Sequence, residues 1–364
     1  MPEQAPTQDS VYVIAEAGVN HNGSLDLALQ LVDVAADAGA DAVKFQTFRA
    51  QDLATAHAPK AGYQAKTTGS KESQLQMLKR LELGPSAHRA LIARCRRRGI
   101  DFLSSPFDAV SLRLLTRTFR LPVLKIPSGE ITNGPLLLQA ARSGRRIILS
   151  TGMSVLAEIE AALGVLAFGM LESTLAPSSA NFAQAYRSAS GQRHLRKKVV
   201  ILHCVTDYPT RFADVNLRAM DTLRAAFGLP VGYSDHSVGI AVPIAAAARG
   251  ARVIEKHVTL DRNLPGPDHR ASLEPGELAS MVTGIRQVEI ALGHGLKLPT
   301  ESELRNLRVA RKSMVAARAI AKGERYSAGN LVAKRAGRGR SPMDFWDLAG
   351  MQAPRRLRKD EPIE

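Results

Sequence analysis

The sequence has little cysteine and no long apolar run, and both shortages exclude whole classes of protein. Its 364 residues include two cysteines, Cys95 and Cys204, which cannot form a disulfide framework and show no CxxC spacing. No apolar run approaches the length that spans a bilayer, and residues 1–10 lack the apolar segment of a secretory signal. We therefore expect a cytoplasmic protein in a reducing environment, with no membrane partner.

Acidic residues are also few relative to basic ones. The chain has 49 Lys and Arg against 34 Asp and Glu, a formal net charge of +15, and its 45% hydrophobic content is that of a globular protein. Residues 301–364 hold 15 basic and 8 acidic residues. Such a segment could bind nucleic acid, but aromatic residues do not alternate with the charges. We therefore favour a solvated surface or a field that attracts a small anionic substrate, and expect no nucleic-acid partner.

Short β-branched segments alternate with amphipathic ones, which is typical of βα units around a parallel sheet. Eight strands in about 290 residues predict the α/β class and a closed (β/α)8 TIM barrel. An open doubly wound sheet is the alternative, but the turn Gly18–Gly23 does not match the dinucleotide-binding fingerprint. The predicted strands are 11–18, 41–47, 101–107, 123–129, 146–152, 199–205, 230–236 and 252–259.

The composition divides the chain into a barrel at 1–292, a linker at 293–309 and a small domain at 310–364. Two long segments inside the barrel are predicted to be loops. Residues 49–71 follow the second strand, so they lie on the C-terminal face and could cover a site. Residues 171–198 precede the sixth strand, which places them on the opposite face.

Polar residues at the C-terminal ends of the strands indicate where the active site lies. Side chains alternate along a strand, and one consistent inward parity gives every strand end a polar group. Lys44 and Lys125 would then lie inside the barrel, where a charge is costly unless it is paired or bound to a ligand. The two lysines predict a pocket for phosphate and carboxylate, and the hydroxyl donors around them would be Ser105, Ser128 and Ser150.

Two other interpretations of the polar residues stay open. Each lysine could instead pair with an inward carboxylate such as Glu16 or Glu130. His236 and His257 end neighbouring strands with matched parity, so they could share an exchangeable Mn²⁺ or Mg²⁺, or could be packed and hydrogen-bonded residues. Asp268 lies in a proline-rich loop nearby and could equally cap a turn.

Several segments together resemble the bacterial sialic acid synthases, from about Val11 to the C-terminus. The resemblance lies in Ile14–Gly23, Val43–Gln46, Lys125–Glu130, Leu149–Met153, Leu202–Cys204, Gly232–His236, Glu255–His257 and Pro265–Asp268. It implies that phosphoenolpyruvate condenses with the open-chain aldehyde of an N-acylated mannosamine-type sugar. The product would be a nine-carbon 2-keto acid, and inorganic phosphate would leave by carbon–oxygen cleavage.

The resemblance also implies roles for individual residues. Glu16, His236 and Asp268 would be catalytic, and His236 and His257 would bind the divalent cation, Mn²⁺ or Mg²⁺, that polarises the aldehyde oxygen. Phosphoenolpyruvate would be held by Lys44, Ser105, Lys125, Ser128, Ser150 and Ser234. The sugar would be bound by Gln46, Glu130, Thr206, Tyr208 and Arg335.

The C-terminal domain resembles the antifreeze-like (SAF) domain of these synthases. The resemblance implies a domain-swapped homodimer in which Arg335 reaches the sugar in the partner subunit. N-acetylmannosamine, which gives N-acetylneuraminate, is the first expectation for the acceptor. A diacetamido-trideoxy hexose, which gives a legionaminate- or pseudaminate-type acid, is the alternative. A non-catalytic protein that binds nucleic acid or polysaccharide is the alternative from another class.

Overall fold

The computed structural model describes residues 10–62, 64–65, 72–172 and 174–364. The chain divides into two compact units, Met1–Gly293 and His294–Glu364. In the part of the chain that is described, no helix has the length and apolar character needed to cross a membrane.

Within the described residues of the first unit, eight parallel strands form one sheet in the order β3-β2-β1-β8-β7-β6-β5-β4. Because β1 pairs with both β2 and β8, and the end strands β3 and β4 pack side by side, the order of neighbours is circular. Each predicted strand overlaps an observed one, so the TIM barrel is confirmed. The strands are β1 Tyr12–Gly18, β2 Ala42–Thr47, β3 Asp101–Pro106, β4 Val123–Ile126, β5 Arg146–Ser150, β6 Val199–Cys204, β7 Val231–Asp235 and β8 Val253–His257.

Helices follow the strands and cover the outside of the sheet. The helix Leu25–Asp37 shows why they form: Ser24 caps its first turn, and one stripe of small and aliphatic residues, among them Leu31 and Ala35, is buried. The helices of this unit are Leu25–Asp37, Ala50–Leu53, Gln74–Leu81, Pro85–Arg98, Ala109–Arg113, Gly134–Arg142, Leu156–Met170, Ser179–Arg187, Ala189–Lys198, Ala219–Phe227, Ala241–Ala248 and Pro275–Leu292. A π-helical turn, Leu114–Thr118, and 3-10 turns at Ser128–Glu130, Phe212–Asp214 and His269–Ala271 complete it.

The segment 171–198 contains two helices, so its prediction as a loop was wrong. Ser178 and Ser188 cap the helices Ser179–Arg187 and Ala189–Lys198. Both helices pack on Leu156–Met170, a helix whose residues are mostly buried. The two helices of this polar segment therefore cover a face of Leu156–Met170 that would otherwise be an exposed apolar surface.

The barrel interior has an apolar lower layer and a polar upper layer. The lower layer, here called the barrel floor, is a buried cluster made of Ile14, Ala42, Leu103, Ile148, Leu202 and Val253. Two residues further along the same strands, the buried side chains are Glu16, Lys44, Ser105, Ser150, Cys204 and Glu255. The residues between them, such as Val43, Phe45, Leu124, Leu149 and Ile254, belong to the core with the helices. The alternation of strand side chains thus delivers one ring of polar groups to the C-terminal end.

The second unit contains a small antiparallel ladder, β9 Ser313–Ala316 with β10 Leu331–Lys334. Its helices are Glu301–Ala310 and Phe345–Leu348, with a 3-10 turn at Pro342–Asp344. The predicted linker 293–309 is not loop throughout, because Thr300 and Glu303 form a capping box that starts the first of these helices. The core of the unit is built from Met314, Ala316, Ile320, Tyr326, Leu331, Leu348, Ala353, Leu357 and Ile363.

Candidate active site

A cavity of about 330 Å³ lies at the C-terminal end of the barrel. Most residues predicted for the site line it: Glu16, Lys44, Gln46, Lys125, Ser128, Glu130, Ser150, Thr206, Tyr208, Ser234, His236, His257 and Asp268. Ser105 is buried, and it accepts a hydrogen bond from Lys44 Nζ at 3.2 Å. Arg335 belongs to the second unit, where it is exposed and donates to the carbonyl of Ala310.

The two lysines form a buried ion network with two glutamates. Lys44 Nζ lies 2.6 Å from Glu16 Oε2 and 3.7 Å from Glu255 Oε2. Lys125 Nζ lies 3.0 Å from Glu255 Oε1, and every side chain in the network is at most 5% exposed. The pairing of Lys44 with Glu16 was one of the two sequence interpretations. Glu130 does not serve in this way, since its carboxylate accepts from Asn133 Nδ2 at 2.7 Å.

The electrostatics of this network keep one glutamate charged and make the other a weaker acid. Burial alone would raise the pKa of Glu255, but Lys125 and Lys44 lower that pKa to about 2. Burial raises the pKa of Glu16, an effect that Lys44 offsets only in part and that the Glu255 carboxylate reinforces. Glu255 is therefore the permanent counter-ion of the lysines, whereas Glu16 is the member able to take a proton.

Glu255 lines the cavity and joins the ion network, and it was not predicted as a site residue from the sequence. It lies two positions before His257 on β8, so it has the same inward parity as that histidine. Applying the alternation one step further down β8 would have found it. The hydroxyl of Ser234 donates to Glu255 Oε1 at 2.9 Å, which connects β7 to the same network.

Hydroxyl groups surround the lysine end of the cavity. Ser128 Oγ accepts from the backbone N–H of Gly152 at 3.0 Å and lies 3.1 Å from Cys204 Sγ. Among the described residues, the buried hydroxyls of Ser150 and Thr206 have no hydrogen-bond partner. Because a buried polar group without a partner is costly, these two hydroxyls indicate a place that a polar ligand completes.

Cys204 is part of the wall and not an exposed nucleophile. It is buried beside Ser128, and burial raises the pKa of its thiol. Gly152 lies against the same part of the wall, where a Cβ atom would be 2.4 Å from Thr206 Oγ1 and 2.9 Å from Cys204 Sγ. The glycine lets the backbone after β5 approach these hydroxyls closely.

The two histidines meet above the lysines. Their ring centroids are 5.5 Å apart, and the ring of Tyr208 lies 4.1 Å from that of His236 and 5.6 Å from that of His257. His236 Nδ1 donates to the carbonyl of Val205 at 2.6 Å, so its other ring nitrogen carries the lone pair. Burial lowers the pKa of His236 to about 4 and moves the pKa of His257 well below its usual value.

These histidines have the form that a divalent cation needs. Both imidazoles are neutral at pH 7, and His257 Nδ1 is buried with no hydrogen-bond partner among the described residues. In the same described part of the chain, no group of three or more His, Cys, Asp or Glu side chains could hold a metal ion. The protein would therefore supply two ligands and leave the other positions to water and substrate, which suits Mn²⁺ or Mg²⁺.

Asp268 reaches the cavity from the loop after β8. Burial raises its pKa to about 7, and the charge of Glu16 acts in the same direction. Besides its prolines, a hydrogen-bond chain holds the loop: Ser272 Oγ donates to the carbonyl of Asp268 at 2.7 Å, and Asn20 Nδ2 donates to Ser272 Oγ at 2.8 Å. Asp268 is thus a carboxyl group in a fixed place that can gain or lose a proton near neutral pH.

One wall of the cavity is apolar. Leu53, Met77, Leu78, Leu81 and Phe107 line it, and they belong to a small buried cluster formed by the segments after β2 and β3. The segment 49–71 was expected to cover the site, and Leu53 is the part of it in this wall. Residues 63 and 66–71 lie outside the described residues.

Comparisons with known proteins agree along nearly the whole chain. A model of the NeuB family matches residues 31–297, and a model of the SAF domain matches residues 311–364. The N,N'-diacetyllegionaminic acid synthase of Campylobacter jejuni is 48% identical over 351 residues, which cover 96% of this chain and 98% of that protein. The protein of the same name from Legionella pneumophila is 42% identical over 339 residues, covering 93% of this chain and 89% of that protein.

A solved structure is similar in fold as well as in sequence. The N-acetylneuraminic acid (sialic acid) synthetase from Leptospira borgpetersenii superimposes with a TM-score of 0.65 at 36% identity. The match covers 82% of this chain and 90% of that chain.

Proposed function

The chain belongs to the NeuB family of phosphoenolpyruvate-dependent condensing enzymes, and on that basis we propose that its acceptor is a diacetamido-trideoxy hexose. The product would be a legionaminate-type 2-keto acid. The two relatives at 48% and 42% identity both bear the name of such an acid, and this supports the acceptor. The chemistry is carried by one observation, the buried Lys44 and Lys125 directly below two neutral histidines in the same cavity.

Phosphoenolpyruvate would bind at the lysine end. Its phosphate and carboxylate would take Lys44 and Lys125 as charged donors, with the unpartnered hydroxyl of Ser150 as a further donor. Ser128 and Ser234 lie beside them, and Ser105 acts from below by fixing Lys44. The lysines already have Glu16 and Glu255 as ion-pair partners. Protonation of Glu16, which its raised pKa allows, would free positive charge on Lys44 and so favour binding of phosphoenolpyruvate.

The methylene carbon of phosphoenolpyruvate forms a carbon–carbon bond with the aldehyde carbon of the sugar. Water bonds to the phosphate-bearing carbon, the bond from that carbon to the phosphate oxygen breaks, and inorganic phosphate leaves. The water oxygen becomes the keto oxygen, and the two water protons end on the new hydroxyl group and on the phosphate. Asp268, with a pKa of about 7, is placed to give a proton to the developing alkoxide oxygen and to be recharged at neutral pH. Glu16 is the second carboxyl group whose pKa is raised.

His236 and His257 would hold a divalent cation. When bound, Mn²⁺ or Mg²⁺ supplies Lewis-acid polarisation of the aldehyde oxygen. Tyr208 packs on both imidazoles and restricts their rotation, and the Val205 carbonyl fixes the tautomer of His236. The two histidines are thereby oriented before any ligand arrives.

The apolar wall supports the choice of acceptor. A diacetamido-trideoxy hexose has a methyl group where N-acetylmannosamine has a hydroxymethyl group, and it carries a second acetyl group. Leu53, Met77, Leu78, Leu81 and Phe107 offer apolar surface for such groups. Gln64 and Gln74, from the same segments, also line the cavity and could contact an amide of the sugar. Gln46, Glu130, Thr206 and Tyr208 would contact the polar groups of the sugar.

Full activity would require a homodimer. By analogy with the family, Arg335 of each chain would reach the sugar bound in the barrel of the other. Arg335 is exposed in its own unit, and its Nε donates to the Ala310 carbonyl. The rest of its guanidinium would donate to an acyl oxygen of the sugar.

Phosphate release from phosphoenolpyruvate by the purified protein with Mn²⁺ tests this function. The assay is run with the diacetamido-trideoxy hexose and, in parallel, with N-acetylmannosamine. We expect release with the diacetamido sugar and roughly 5- to 150-fold lower kcat/KM with N-acetylmannosamine, because a polar group buried without a hydrogen-bond partner costs about 1–3 kcal/mol. EDTA and His236→Ala should each abolish the release.

His194→Ala is the matched control, since this histidine lies on the helix Ala189–Lys198. It should behave as the unaltered protein. Release with N-acetylmannosamine alone would move the assignment to a neuraminate synthase. Release with neither sugar would overturn the proposed function.

A further inference from the structure

A fully buried ion pair ties β7 to β8 directly behind the two histidines. Asp235 and Lys256 lie opposite each other in the parallel ladder, and their charged atoms are 2.5 Å apart. Both side chains are 0% exposed. Since strand side chains alternate, this pair faces the helices while His236 and His257, the next residue on each strand, face the cavity.

A third residue joins the pair on the far side of His236. Asp235 Oδ1 accepts from the backbone N–H of Ser237 at 3.0 Å and from its hydroxyl at 2.8 Å. Lys256 Nζ also donates to the carbonyl of Ser237. We call Asp235, Ser237 and Lys256 the β7–β8 clamp. The clamp holds the residues on both sides of His236 and the residue just before His257.

Stability alone does not explain the clamp. A buried ion pair must recover the large cost of removing two charges from water, and an apolar pair of the same volume is often as stable or more so. What an ion pair does provide is one fixed geometry, because the lysine must reach a carboxylate and a carbonyl at once. Such a fixed geometry is useful at a place where two strand ends have to keep a set distance.

We infer that the β7–β8 clamp is a positioning device that fixes the separation and orientation of the two imidazoles and thereby sets the affinity for a divalent cation. The inference rests on the proposed histidine site. Asp235, Ser237 and Lys256 are not among the residues that line the cavity, so the clamp would act through the backbone of His236 and His257. Its loss should leave the imidazoles present but no longer held at one distance.

The test measures Mn²⁺ binding to the full chain without substrates, by titration calorimetry and by the electron paramagnetic resonance signal of free Mn²⁺. Asp235→Asn combined with Lys256→Met removes both charges while keeping similar volumes. We expect Mn²⁺ affinity to fall about 10- to 100-fold, the usual effect of losing a group that orients a metal ligand. Circular dichroism in the near ultraviolet checks that the core is still packed.

Two further variants make the outcome clear. Leu91→Ala removes a fully buried side chain from the helix Pro85–Arg98, which packs on the helix Leu25–Asp37 and on β3. It controls for lost stability and should bind Mn²⁺ as the unaltered protein does. If the double variant fails to fold, Ser237→Ala takes its place. It removes one hydrogen bond of the clamp without burying a lone charge, and we expect about a fivefold loss of affinity.

The possible results separate the inference from the function on which it rests. If His236→Ala and His257→Ala leave Mn²⁺ binding unchanged, the proposed metal site is wrong. If those variants lose binding but the folded clamp variant keeps the affinity of the unaltered protein, the site stands and the positioning role is overturned. An equal loss in Leu91→Ala would assign the effect to general destabilisation and would also overturn it.

Discussion

Lys125 Nζ lies 3.0 Å from Glu255 Oε1 inside the barrel, and neither side chain is more than 5% exposed. This ion pair therefore contributes to the stability of the barrel and, in the proposed function, to the binding of phosphoenolpyruvate. Removing the lysine leaves a carboxylate whose remaining ion-pair partner, Lys44, is 3.7 Å away. Removing both charged groups leaves no unpaired carboxylate, but it also removes the donor that we propose for phosphoenolpyruvate.

We predict that Lys125→Met lowers the free energy of unfolding by about 3 kcal/mol and abolishes phosphate release, since a buried charge that loses its partner is strongly destabilising. Lys125→Met combined with Glu255→Gln should recover most of the stability and none of the activity. Urea denaturation and the phosphate assay measure the two effects. Recovery of activity in the double variant would show that Lys125 has only a structural role.

The stability of the metal-free protein should depend on pH through Asp268. The pKa of Asp268 is raised to about 7 in the folded state, so between about pH 4 and pH 7 the folded state holds a proton that the unfolded state has lost. This stabilising contribution is complete below about pH 4 and is lost as the pH rises through 7, by a few kcal/mol in total.

Asp268→Asn removes that dependence. The variant should be more stable than the unaltered protein above pH 7, and the difference should shrink as the pH falls toward 4. Denaturation curves in EDTA at several pH values measure it. A difference that is constant across this range would mean that Asp268 titrates normally.

Added Mn²⁺ should stabilise the folded protein, because a ligand that binds only the folded state shifts the unfolding equilibrium. At a hundredfold excess over Kd the gain is about 2.7 kcal/mol. Thermal unfolding should therefore occur at a higher temperature with Mn²⁺, and the increase should disappear in His257→Ala while it remains in His194→Ala. An increase of the same size in all three proteins would place the cation elsewhere.

Exchange between two inactive variants should restore activity if Arg335 acts in the partner subunit. Arg335→Ala keeps an intact barrel, and Lys125→Met keeps an intact arginine. In a randomly exchanged equimolar mixture, half of the dimers contain both chains and have one complete site each, so about a quarter of the full activity should return. The mixture would stay inactive if the arginine served its own barrel.

The sequence was sufficient to predict the barrel and most of the cavity, because both depend on alternation along buried strands. Glu16, Lys44, Lys125 and Ser150 have the inward parity that the pattern assigns them. Glu255 follows the same rule but was not predicted. Only His257, two positions later on β8, was assigned to the site from that strand. The full burial of Lys256 could not be foreseen, since nothing local shows that a lysine finds Asp235 across the ladder.

One prediction was wrong because a polar composition was interpreted as a loop. Residues 179–198 have Ser, Asn, Gln, His, Arg or Lys at 12 of 20 positions, yet Ser178 and Ser188 are helix caps and Leu195 is fully buried. A helix also begins inside the predicted linker, at the capping box of Thr300 and Glu303. In both places the caps could be read in the sequence, whereas the packing partner that stabilises the helix could not.

The barrel floor closes one end of the cavity, so the cavity is not a channel through the barrel. Lys44 lies one inward position beyond Ala42 of that apolar layer, and His257 lies two beyond Val253. Both substrates would enter by the same rim, and in the proposed function phosphoenolpyruvate takes the deeper place. A sugar that arrives first would block the way to the lysines. The enzyme should therefore bind its substrates in compulsory order, and excess acceptor should inhibit it in a manner that more phosphoenolpyruvate relieves.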